Sequence, residues 1–253
     1  MDRFSVLTLN LWNTNSPYEF RMNRIVEFLR MRRPNVVCMQ EVSPHESRWQ
    51  AEEIADQCQY HTFFSFAGTW NGRPEGIAML TRERLSDTKE VRLPEAHNDM
   101  ARVAQSASVE IGLTTIHVVN THLAFHPNAA AERLLQAETL ASLIAVEIAP
   151  EDQKVVLCGD FNDIPESPTL KSLQSFPTLS LLDAWVVAGR KDESGLTFAR
   201  ENCLVAPELW PDRRIDYVLF RGVEVLTCRV VFRVGSDEGI VSDHYGVIAE
   251  FSV

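Results

Sequence analysis

Short apolar runs rich in β-branched residues recur along the chain between polar breaks, as strands do. They fall at 4–10, 35–40, 61–66, 76–81, 102–111, 114–121, 154–158, 215–220, 223–232 and 244–252. Two segments carry a helical period instead. Tyr18 to Met31 sets Phe20, Ile25, Phe28 and Leu29 on one face before Pro34 stops it. Ala129 to Ile148 repeats the pattern with Leu134, Leu135, Leu140, Leu143 and Ile144, which leaves Arg133, Gln136 and Glu138 for a solvated face.

Early strand-helix alternation gives way to consecutive strands, as at 102–111 and 114–121 across a Gly112 turn. That order predicts mixed sheets in an α/β (α+β) fold, two sheets face to face with helices outside. The chain shows no internal repeat, low-complexity tract or linker, so residues 1–253 read as a single domain. With 45% hydrophobic and 23% charged residues it can bury a sizeable core.

Polar residues interrupt this pattern where a core would not place them, at what read as the C-terminal ends of apolar strands. They are Asn10, Glu41, His122, Asp160 with Asn162, Asp216, and Asp243-His244. Singly, each has a plain alternative: Gly159-Asp160-Phe161-Asn162 also reads as a turn, Asp243-His244 as a cap, Glu41 as a solvated acid. Together they bring acids, amides and histidines to strand ends that independent turns would not assemble. Mg²⁺ is a hard ion held by one or two carboxylates plus waters and substrate phosphate, so Glu41, Asn10 and Asp243 suffice for it. Asp160 and Asn162 alternate along an extended segment and can share a pocket, holding an attacking water. Asp216 beside His244 would orient the imidazole.

The net charge of -11 argues against a sequence-independent coat on nucleic acid but not against an enzyme, since a carboxylate site with its cation supplies local attraction. Five scattered cysteines, Cys38, Cys58, Cys158, Cys203 and Cys228, lack the spacing of a disulfide framework or a thiolate zinc site. The first strand begins right after Met1-Asp2-Arg3, with no signal-peptide pattern, and no segment is apolar enough to span a bilayer. A cytoplasmic location is expected.

These motifs resemble the endonuclease/exonuclease/phosphatase superfamily of metal-dependent phosphoesterases, from Asn10 to His244. It includes deoxyribonuclease-I-like enzymes, abasic endonucleases, inositol polyphosphate phosphatases, deadenylases and neutral sphingomyelinases. The resemblance implies a four-layered α/β sandwich. It implies that Asn10, Glu41 and Asp243 sit at Mg²⁺, for which Mn²⁺ would substitute, and that Asp160 with Asn162 handles the nucleophilic water. By the same resemblance His244 contacts phosphate with Asp216 as its partner, His122 acts near the leaving group, and Glu75 orients His122.

Within the superfamily, His122 moves weight away from the abasic endonucleases, and Leu157 to Asp163 departs from the WxGDLNxR signature of the inositol phosphatases. Substrate contacts are expected from Trp70, in the Gly68 to Pro74 loop, and from Arg102, after the His97-Asn98-Asp99 loop; local packing and a salt bridge are the plain alternatives. Arg213 and Arg214 either flank the pocket or solvate a turn. The favoured function is a phosphodiesterase acting on DNA or RNA. A phospholipid or small organophosphate substrate is the alternative, and needs an exposed apolar loop near Phe63 to Trp70. A silent scaffold is the third reading, opposed by the intact polar set. Oligomeric state, and endo against exo cleavage, are not legible.

Overall fold

The computed structural model describes residues 2–96, 99–149, 153–190, 193–206 and 211–253. Among these, the strands are β1 (Arg3–Asn10), β2 (Val36–Val42), β3 (Pro44–His45), β4 (Arg48–Trp49), β5 (His61–Trp70), β6 (Arg73–Thr81) and β7 (Ser86–Arg92), followed by β8 (Val103–Ile111), β9 (Thr114–His122), β10 (Lys154–Asp160), β11 (Leu182–Asp183), β12 (Asp216–Arg221), β13 (Glu224–Val231) and β14 (Gly246–Ser252). The α-helices are α1 (Tyr18–Arg32), α2 (Gln50–Cys58), α3 (Ala130–Leu143) and α4 (Pro168–Ser175).

One six-stranded sheet has the order β13-β14-β1-β2-β6-β5 and the other β11-β12-β10-β9-β8-β7. Each is built around one parallel pair, β1 with β2 and β9 with β10, flanked by antiparallel strands. A parallel pair needs a crossover, supplied by α1 in one sheet and α3 in the other. Apolar side chains from both sheets, including Phe4, Val36, Val118 and Val156, form the central core. The outer faces bury α1 and α2 against one sheet and α3 and α4 against the other. The result is the expected α/β sandwich of two mixed sheets with helices outside.

Several local expectations are corrected. In α1 the buried stripe is Tyr18, Arg21, Met22, Ile25, Val26, Phe28 and Leu29, whereas Phe20 is 52% exposed. In α3 Arg133 and Gln136 are buried and Leu135 is 51% exposed, because these polar side chains hydrogen-bond loop backbone: Gln136 bonds the Ala124 N–H and the Pro94 carbonyl. The expected 129–148 helix is α3 followed by a wider π turn, Ile144–Ile148. The polar edge strand β7 and the short β11 carry too little apolar pattern to be read as strands. Helix α4 had a legible signal, Ser167 capping the Leu170 N–H with Pro168 following. The Gly68 to Pro74 loop is a hairpin in which Trp70 pairs with Arg73 around Asn71-Gly72, both at positive φ. No helix among the described residues is long and apolar enough to cross a membrane.

Candidate active site

Asn10, His122 and Asp160 are the last residues of β1, β9 and β10, as the pattern implied. Asp216 instead opens β12, and Asp243-His244 precede β14. These strands run antiparallel to the central ones, so their beginnings lie at the same end: Asp160 is in register with both His122 and Asp216. Glu75 likewise lies near the start of β6. Glu41 has φ 49° at the bulge where β2 shifts register against β6. A bulge re-aims the side chain it carries.

The approach of β10 to β9 needs a glycine. Gly159 has φ 149°, and a Cβ there would lie 2.0 Å from the Thr121 carbonyl oxygen.

A cavity of about 580 Å³ opens at this end, lined by Glu41, Glu75, Arg102, His122, Asp160, Asn162, Asp243 and His244 among the expected residues, with Trp70 at its wall. Asn10 and Asp216 are buried behind it. The Asn10 amide donates to Glu41 Oε1 (3.0 Å) and Asp160 Oδ2 (3.1 Å), while its Oδ1 accepts from the Trp12 N–H (2.9 Å). Asn13, which the sequence pattern did not mark, donates to Glu41 Oε2 at 2.7 Å.

His244 Nδ1 lies 2.9 Å from Asp216 Oδ2, and His122 Nε2 lies 3.5 Å from Asp160 Oδ2. Asp160 Oδ1 accepts from the Asn162 N–H (2.9 Å), and the Asn162 amide donates to the Leu123 carbonyl (3.1 Å). Among the described residues no hydrogen bond joins Glu75 to His122, and Asn13 beside Glu75 favours its charged form against burial. Arg102 pairs with Asp99 at 2.8 Å and sits 5.8 Å over the Phe125 ring, which packs edge-on against Trp70. His97 and Asn98 lie outside the described residues. Arg213 reaches the cavity and lies over Phe198, whereas Arg214 is buried against Asp183.

Burial dominates the electrostatics, and neighbouring charges come second. Burial and then Asp216 push Asp160 up to about 7, burial and Glu41 push Asp243 up to about 7, and burial and Glu41 push Glu75 up to about 8. Burial opposes a charge on His244, but Asp216 and Asp160 outweigh it and hold its pKa well above the ordinary range. Burial, Arg102 and His244 together drive His122 well below that range.

The donor set suits a divalent cation. Asp160, Asp216 and His244 cluster with ligand-type atoms within 4.8 Å of one another; with His244 held charged, the carboxylates are the donors, and Asp216 Oδ1 is buried with no hydrogen-bond partner. Glu41 and Asp243, both half-buried, add carboxylates at the cavity wall, and carboxylates gathered in one cavity need a cation or protons. An oxygen-rich set without thiolate suits a hard ion.

The fold is shared widely. The Bacteroides vulgatus endonuclease/exonuclease/phosphatase superposes with a TM-score of 0.81 at 18% identity over 100% of both chains. D. rerio TDP2, in a structure complexed with a single-strand DNA product, gives 0.79 at 20% identity over 99% of both chains. In sequence, protein angel homolog 2 of Danio rerio is 27% identical over 168 residues, 61% of this chain and 29% of that one. The chain spans less than half the length of the named sequence relatives it matches. The sequence pattern of one family runs through both sheets and every strand end that meets at the cavity, over residues 7–244, and the chain belongs to that family, the Endonuclease/Exonuclease/phosphatase family.

Proposed function

We propose that the protein is a Mg²⁺-dependent phosphodiesterase that cleaves nucleic acid by in-line attack of water, with Mn²⁺ able to substitute. The observation that carries this reading is the convergence of Glu41, Asp160 and Asp243 with the Asp216–His244 pair at one cavity. Glu41 and Asp243 would hold the ion, with Asn10 fixing Glu41 against Asp160. When bound, the ion would supply a Lewis acid for the phosphoryl oxygens.

Asp160, braced by the Asn10 amide and the Asn162 N–H, accepts a proton from the attacking water. Asn162, tied to Leu123, orients that water. Asp216 occupies His244 Nδ1, so the charged ring presents Nε2 to the phosphate. His122, held neutral with its Nε2 3.5 Å from Asp160 Oδ2, also lines the cavity and serves the leaving group. Glu75, its pKa raised by burial and by Glu41, lines the same cavity.

Nucleic acid is favoured by the wall itself. Trp12, Trp70, Phe125 and Phe198 line the cavity with rings for stacking, and Arg73 and Arg213 bring positive charge to a wall whose acids would be met by the cation. The structural relative crystallised with single-strand DNA product supports the same choice. The stretch Phe63 to Trp70, on which the phospholipid alternative relied, is strand β5 paired along β6.

The test is hydrolysis of single-stranded DNA, duplex DNA, RNA, sphingomyelin and bis-p-nitrophenyl phosphate with Mg²⁺ or Mn²⁺, comparing the native chain with Asp160→Asn. Metal-dependent cleavage of nucleic acid, lost in the variant, is the expected result. Turnover confined to sphingomyelin or the small diester would overturn the substrate, and turnover on none would overturn the reaction.

A further inference from the structure

Two buried arginines lie behind the cavity and do not face it. Arg21 Nη1 donates to the carbonyls of Leu11 (2.6 Å) and Val241 (3.0 Å), its Nη2 to Asn13 (2.9 Å) and Asn15 (2.7 Å), and its Nε to Asn15 (3.1 Å). Arg133 Nη1 donates to the carbonyls of Ala124 (3.0 Å) and His126 (2.7 Å), and its Nε to Asp163 Oδ2 (3.2 Å).

The two occupy equivalent places. Each is the fourth residue of the helix that crosses between a parallel strand pair. Each stands eleven positions after the last residue of the preceding strand, Asn10 in one sheet and His122 in the other. Each gathers the carbonyls of the loop just after that strand and ties them to a second loop of the site.

The second loops differ. Arg21 joins the Leu11 to Asn15 segment, whose Asn13 side chain holds Glu41, to Val241, two residues before Asp243. Arg133 joins the segment after His122 to Asp163, next to Asn162, and Asn162 in turn donates to Leu123.

We propose that Arg21 and Arg133 are positioning residues with divided duties, Arg21 setting the geometry of the divalent-cation half of the site and Arg133 that of the half that holds the attacking water and His122. This rests on the functional reading above. Every acceptor of Arg21 is a main-chain carbonyl, so its planar fork of five donors is what holds two loops in one shape. A lysine keeps the charge but, as a point donor, cannot span carbonyls on both loops.

The experiment measures Mn²⁺ binding by isothermal titration calorimetry alongside steady-state hydrolysis of bis-p-nitrophenyl phosphate, on the full chain with near-ultraviolet circular dichroism as a folding check. Arg21→Lys is expected to raise the Mn²⁺ Kd about 10-fold, as changes behind metal ligands do, with kcat at saturating Mn²⁺ largely retained. Arg133→Lys is expected to leave the Mn²⁺ Kd within about 2-fold and lower kcat on the order of 10²-fold, the effect of displacing a reacting group by about 1 Å. Asn13→Ala, which leaves both arginines in place, should reproduce the loss of Mn²⁺ affinity even if Arg21→Lys fails to fold. Unchanged Mn²⁺ affinity in a folded Arg21→Lys or in Asn13→Ala, or the same change in Kd and kcat for both arginine variants, would overturn the proposal. No Mn²⁺ binding by the native chain would instead overturn the functional reading beneath it.

Discussion

Replacing Asn120 with leucine removes the side chain that bridges the two sheets directly behind the site. Asn120 is fully buried, and its Oδ1 accepts from Gln40 Nε2 at 2.8 Å. Its amide donates to the carbonyls of Met39 (3.2 Å) and Ala78 (3.0 Å) and to Gln105 Oε1 (3.2 Å). Leucine is similar in size and cannot make any of these bonds. Gln40 Nε2 keeps Thr8 Oγ1 as a partner at 3.1 Å, but Gln105 Oε1 loses its donor.

One buried oxygen left without a donor costs about 1–3 kcal/mol, and three further lost hydrogen bonds cost about 0.5–1.5 kcal/mol each, partly offset by the more apolar side chain. The expected loss is about 3–5 kcal/mol, or a fall in Tm on the order of 10 °C for a chain of this size. Urea unfolding at pH 7, with the slope m compared between the two chains, measures it. Gln40 and Asn120 stand next to Glu41 and two residues before His122, so turnover should fall as well. A loss below about 1 kcal/mol at unchanged m would refute the claim that the Asn120 hydrogen bonds help hold the two sheets together.

The raised carboxyl pKa values give a pH prediction. Asp160 and Asp243 near 7 and Glu75 near 8 mean that the metal-free folded chain binds more protons than the unfolded one between about pH 4 and pH 8, so its stability falls as pH rises across that window. A divalent cation replaces those protons, and the rise in Tm on adding Mg²⁺ should be larger at pH 8 than at pH 5; equal shifts would contradict it. Asp216→Asn removes the partner that keeps His244 charged against burial, so activity at neutral pH should fall on the order of 10²-fold and the basic limb of the pH profile move toward acid. An unmoved limb would separate His244 from the rate. Gly159→Ala places a Cβ against the Thr121 carbonyl and should destabilise the fold by at least about 3 kcal/mol in urea unfolding, with β10 pushed from β9. A near-native midpoint would show that the strands can part without loss.

Strand periodicity, the central helices and the polar strand ends follow from local rules, because a period of two or 3.6 and a hydrophilic residue ending an apolar run are properties of neighbours in sequence. Asn10, Glu41, His122, Asp160, Asp216 and Asp243-His244 were legible for that reason. The same residue types carried the chemical expectation, since hard oxygen donors and imidazoles suit a divalent cation and a phosphoester whatever the fold.

Tertiary structure decided which strands run back from the site and therefore that Asp216 opens its strand while Asp160 closes one. It decided that Arg133 and Gln136 face inward, because carbonyls of a loop from another part of the chain meet them there. It decided that Asn13 bonds Glu41 and that Arg21 reaches Val241, and that the two sheets repeat one plan although their sequences show no repeat. Such choices depend on hydrogen bonds between residues far apart along the chain, as with Arg21 and Val241, and a pattern of neighbours carries no record of them.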